Sequence, residues 1–104
     1  MNGDSSKTDS AVKERVQTKK QEPKRFKVLL LNDDYTTMEF VVEILESVFN
    51  KAPAEAYRIM MAVHTQGQGL CGVYPFDVAE TKVATVVDLA RGSGFPLRAA
   101  MEPE

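Results

Sequence analysis

The run Arg25-Phe26-Lys27-Val28-Leu29-Leu30-Leu31 restricts the fold most. It alternates at first and then turns apolar on both faces, the pattern of a strand that other elements must cover. It stops at Asn32-Asp33-Asp34-Tyr35, residues that favour turns. Thr36 then suits a helix N-cap, with Glu39 three positions on to complete a capping box. Met38, Val41, Val42, Leu45, Val48 and Phe49 recur at helical spacing, and Glu39, Glu43 and Glu46 fall on the opposite side.

Asn50-Lys51-Ala52 connects to a second helix, opened by Pro53 and ended by Gln66-Gly67-Gln68-Gly69. Its inward stripe is Ala56, Ile59, Met60 and Val63, with Tyr57, Met61 and His64 beside it. Leu70-Cys71-Gly72-Val73-Tyr74 reads as a short strand. Pro75 starts a third helix whose inward residues are Phe76, Ala79, Val83, Val86, Val87 and Ala90. Arg91-Gly92-Ser93-Gly94 ends it, and Phe95 to Met101 reads as a last strand. The expected fold is α+β: one compact domain over residues 25–104, in the order β-α-α-β-α-β, with a three-stranded antiparallel sheet packed against three helices. Residues 1–24 are polar and charged, which predicts a disordered arm before the core.

Charge is divided unevenly. Residues 1–25 hold seven Lys/Arg against four Asp/Glu, whereas residues 26–104 hold six against eleven. An acidic core argues against nucleic acid as the main partner. The single cysteine, Cys71, can form no internal disulfide and suits a reducing, cytoplasmic setting. No apolar run is long enough for a membrane span, and the first residues lack the apolar core of a signal peptide, so a soluble intracellular protein is expected.

Chemistry concentrates in few places. If the pleat persists past the first strand, Leu30, Asn32 and Asp34 share a face, setting two acceptor-bearing side chains beside an apolar one. That arrangement suits a cationic donor, although Asn-Asp-Asp equally fits a turn that shapes the helix start. His64, the only histidine, lies on the helix side of Met60 and Met61, where an imidazole nitrogen can accept from an ammonium group or simply sit at the core boundary. Met38, Met60, Met61 and Met101 can adapt to varied apolar partners, although each taken separately fits ordinary core better, and Cys71 reads as buried packing. An Asp-Asp pair with one His could hold a hard cation. However, the sequence has no zinc-site complement of His and Cys, no phosphate loop and no nucleophile motif, so no metal, cofactor or catalytic role is expected.

Three stretches carry a resemblance. Leu31-Asn32-Asp33-Asp34-Tyr35-Thr36-Thr37-Met38-Glu39-Phe40-Val41, Met60 to Gly67, and Cys71-Gly72-Val73-Tyr74 leading to Val78 through Ala84 closely resemble segments of the ClpS adaptor family, in family order and spacing. The resemblance covers roughly residues 25–102 and implies a monomeric, non-enzymatic adaptor of the N-end rule. Such a protein would bind substrates that begin with Leu, Phe, Tyr or Trp and dock on the N-terminal domain of a ClpA-type unfoldase. It implies α-amino contacts from Asn32, Asp34 and His64, with Asp33 adding negative field. The implied side-chain pocket is Leu30, Thr36, Met38, Val41, Met60, Val63 and Leu97, with Met38 as the gate against branched side chains. Asp77 and Lys82 match the docking patch. The family usually has Pro where this chain has Thr37, which predicts a freer first helical turn. The alternative readings are a general interaction domain with an unrelated partner and, less favoured, a divalent-metal-dependent enzyme.

Overall fold

In the computed structural model, described here for residues 23–104, the chain forms three strands and three helices in the expected order. They are β1 (Arg25–Leu31), α1 (Met38–Ser47), α2 (Pro53–Gln66), β2 (Gln68–Pro75), α3 (Phe76–Gly92) and β3 (Arg98–Pro103). Apart from Pro23 and Lys24, the arm expected over residues 1–24 lies outside the described residues.

The sheet order is β2-β1-β3, antiparallel throughout, so the most apolar strand is the central one. Val28 and Leu30 point into the core shared with the helices, while Leu29 is buried on the opposite face. The helices thus cover one side of the sheet. Helix α1 buries Phe40, Val41, Ile44 and Leu45. Helix α2 buries Ala56, Ile59, Met60 and Val63, the stripe expected from spacing. Helix α3 lies against all three strands. Burying a large side chain such as Leu30 or Ile44 contributes about 1.5–3 kcal/mol; both are almost fully enclosed.

Strand limits differ from expectation for local reasons. Gly67 ends α2 at φ 91°, a left-handed turn that glycine adopts without strain, and pairing begins at the next residue. β2 therefore includes Gln68 and Gly69 and runs on to Pro75. Its register shifts between Val28 and Leu29, leaving Cys71 as the extra residue of a bulge. At the other end, Phe95 does not enter the sheet. Its N–H donates to the Ala90 carbonyl at 2.8 Å and its ring packs 4.9 Å from Phe40, so it closes α3 instead. β3 accordingly starts at Arg98 and continues to Pro103, beyond Met101. A further contact follows it: Glu104 N–H donates to the Arg25 carbonyl, and its carboxylate pairs with the Arg25 guanidinium.

Two other expectations are corrected. Phe76 is half exposed rather than inward, its ring meeting Phe26 edge-on at 5.3 Å. The pleat also ends at Leu31, and residues 32–37 form an irregular corner. Among the described residues, no helix is long and apolar enough to cross a membrane. Cys71 is fully buried, and that burial chiefly pushes its thiol up to about 12, against smaller opposing effects from the Leu30 backbone and Lys51.

Gly69 joins the layers closely. A Cβ there would stand 2.8 Å from a Val63 methyl and 3.0 Å from the Ile59 carbonyl oxygen. Gly69→Ala should therefore cost about 1–3 kcal/mol through overpacking, seen as a lower urea midpoint with an unchanged slope.

A capped corner above an apolar cavity

The corner at residues 32–37 is held by Asp33. Its Oδ1 accepts from Tyr35 N–H at 2.8 Å and Thr36 N–H at 2.7 Å, and its Oδ2 accepts from the Thr36 hydroxyl at 2.7 Å. Partial burial alone would push the carboxyl up. These hydrogen bonds and the field of Arg98 outweigh it, holding Asp33 below the usual carboxylate range. Asn32 N–H donates to the Gly67 carbonyl at 2.9 Å, tying the corner to the end of α2.

Because Asp33 occupies the N–H and hydroxyl of Thr36, the helix cap passes to the next residue. Thr37 is the N-cap: its hydroxyl accepts from Phe40 N–H at 3.1 Å. Thr36 is thus not the cap, and the Thr36–Glu39 capping box does not form. At the position where the resemblance leads one to expect proline, Thr37 supplies a side-chain bond to the first turn that proline could not.

The corner stands over a cavity of about 250 Å³. Helix α1 contributes Met38 and Val41, three residues apart on one face, and α2 contributes Met60, Val63 and His64 at the matching spacing. Asn32, Asp33, Asp34 and Thr36 complete its wall. Val41, Met60 and Val63 are buried and form an apolar floor, whereas Asn32, Asp34 and His64 are exposed and form a polar rim. All nine surrounding residues are among those the sequence singled out. Leu30 and Leu97 are not around the cavity: alternation along β1 turns Leu30 into the closed core, and Leu97 is buried there too. Asp33 differs in kind from Asp34, because both of its oxygens are already committed to the corner.

What the rim can do follows from its chemistry. An Asn carbonyl, a carboxylate and a neutral imidazole nitrogen each accept a hydrogen bond, and the hollow beneath them is apolar. Among the described residues, no group of three or more His, Cys, Asp or Glu side chains stands close enough to hold a metal ion.

Asp77 and Lys82 lie elsewhere, along a groove of about 540 Å³ between α1 and α3. Lys82 Nζ donates to the Val48 carbonyl at 2.7 Å and lies over the Phe49 and Tyr74 rings, 5.8 and 5.4 Å from their centroids. It therefore satisfies a carbonyl at the end of α1 as well as facing the groove. Val78 and Leu89 add exposed apolar surface that helical periodicity did not single out.

Comparison with known proteins agrees with this architecture. The model of the family described as ATP-dependent Clp protease adaptor protein ClpS matches residues 21–100. The ATP-dependent Clp protease adapter protein ClpS of Wolinella succinogenes is 62% identical over 81 residues, 78% of this chain and 79% of the relative. That of Maricaulis maris is 57% identical over 97 residues, 93% of this chain and 87% of the relative. Among solved structures, Agrobacterium tumefaciens ClpS2 bound to L-phenylalaninamide matches with a TM-score of 0.77 and 44% identity, over 80% of this chain and 100% of that one.

The Asp33 bonds set a pH dependence. A carboxyl held below its unfolded value near 4 stabilises the fold fully above that value, and the contribution disappears as pH falls through the depressed one. The urea midpoint of the unaltered protein should fall more steeply between pH 4 and pH 2 than that of Asp33→Asn, whose amide oxygen still accepts the two backbone N–H groups. Parallel curves would remove Asp33 as the acid-sensitive support.

Proposed function

The chain belongs to the ClpS family of adaptors of the ATP-dependent Clp protease, and on that premise we propose that it captures proteins by a free N-terminal amino group followed by a bulky apolar side chain. The observation that carries this is the acceptor rim of Asn32, Asp34 and His64 over the floor of Val41, Met60 and Val63. A protonated α-amino group has three donors and no acceptor, and the rim offers three acceptor side chains. The first side chain of the substrate then enters the hollow beneath. L-phenylalaninamide, the ligand of the related Agrobacterium protein, has this combination of free amine and aromatic side chain.

The magnitudes explain selectivity. An α-amino group with a pKa of about 7.7–8.0 is mostly protonated at neutral pH. Each hydrogen bond to it is worth about 1.5–3 kcal/mol, and burying a large apolar side chain adds about 1.5–3 kcal/mol. Association costs at least ~4 kcal/mol. The side chain alone falls short of that cost, and three bonds, together about 4.5–9 kcal/mol, leave only a modest surplus at the lower end, so firm capture needs both. Leu, Phe, Tyr and Trp meet the size requirement. Met38 lines the cavity and is partly exposed, which supports its reading as the gate against side chains branched at Cβ.

Delivery to an ATP-driven unfoldase of the ClpA type, through the groove that holds Asp77 and Lys82, completes the reading. Its acidic and basic residues lie beside the exposed Val78 and Leu89, a mixture that suits a protein partner. The proposed division of the chain is an arm over residues 1–24 and an adaptor core over 25–104, working in the cytoplasm as a monomer without catalysis.

Titration with one peptide in two forms tests capture. A Phe-starting peptide with a free amine should bind, and its N-acetylated form should bind at least ~10-fold more weakly, as loss of one or more charge-assisted bonds requires. Asp34→Ala should reduce affinity for the free form by a similar factor while leaving the circular dichroism spectrum unchanged. Equal affinity for the free and acetylated peptides would overturn the reading.

A further inference from the structure

A second hollow adjoins the cavity. It measures about 400 Å³ and is lined by Met38, Glu39, Val42, Tyr57 and Met60, on the outer side of α1 and α2. Met38 and Met60 border both hollows. Met60 is buried, whereas Met38 is 42% exposed, so Met38 is the freer of the two partitions.

Position adds to that freedom. Inside a helix, side-chain rotamers are limited by the preceding turn. Met38 is the first residue of α1 and has no preceding helical turn. Its backbone is nevertheless fixed, because Thr37 caps the helix and the Thr37 carbonyl accepts from Val41 N–H at 3.1 Å. A long, unbranched and adaptable side chain is thus mounted on a rigid base between two spaces. The inner space is about 250 Å³; since an apolar cavity of about 150 Å³ takes a benzene, the largest side chains come close to filling it.

From this we infer that the outer hollow receives the Met38 side chain when the inner cavity takes its largest occupants, so that Val42 and Tyr57 set the upper size limit for the first residue of the substrate. The inference rests on the reading that the inner cavity holds that residue. A Leu side chain fits with Met38 in place. An indole displaces Met38 outward, into the space between Val42 and Tyr57. Selectivity at the large end is then governed by residues that never touch the ligand.

Filling the outer hollow tests this. Val42→Phe should weaken binding of a Trp-starting peptide about tenfold, the change that ~1.4 kcal/mol makes, while a Leu-starting peptide of otherwise identical sequence keeps its affinity within about twofold. Val42→Leu, a milder filling by a better helix former, should shift the Trp-to-Leu ratio in the same direction and serves if the Phe variant does not fold. Loss of both peptides equally, or of neither, in a folded variant would overturn the inference while leaving capture intact. Failure of the unaltered protein to bind either peptide would instead overturn the parent reading and this one with it.

Discussion

Three donors converging on one carboxylate make the rest of the site possible. The strand β1 ends pointing outward, and without a brace its continuation would have no reason to hold any one shape. Asp33 supplies the brace by binding the backbone of Tyr35 and both donors of Thr36. Once the corner is fixed, Thr37 starts α1, Asn32 is anchored to Gly67, and Asp34 is left free at the edge. Two neighbouring aspartates thereby acquire opposite duties. One is consumed by the architecture, and the other remains available to a ligand.

The cavity itself is a product of helix packing. α1 and α2 each present residues at a three-residue interval, and the corner stands over the wedge between them. Apolar and polar parts come from different sources: the floor from helical stripes, the rim from a loop and the last exposed turn of α2. Such separation lets one site demand two unrelated properties of its ligand, charge at one point and bulk at another.

Much of this was legible in the sequence, and the misses have local causes. The central strand and the stripes of α1 and α2 repeat strongly enough to fix their faces, and a strand–turn–helix boundary flags the corner. Two adjacent threonines, however, satisfy cap preferences equally well; only the side-chain commitment of Asp33 decides between Thr36 and Thr37. Gln68 and Gly69 carry no strand signature, and they pair because β1 offers a full edge to them. Phe95 has the composition of a strand but is taken up by Phe40. Leu30 is assigned to the cavity by the resemblance alone, and the alternation that would set it on one face with Asn32 and Asp34 stops at Leu31, where the chain turns. The outer hollow at Val42 and Tyr57 was not legible, since it exists only where two helix surfaces diverge.

The enclosure of Cys71 has a practical side. A thiol pushed up to about 12 carries almost no thiolate near neutrality, and the sequence contains no other cysteine. Thiol-directed reagents therefore find no ready thiolate in the native domain. A cysteine introduced on the surface would react alone, which makes the protein a clean carrier for a single spectroscopic label.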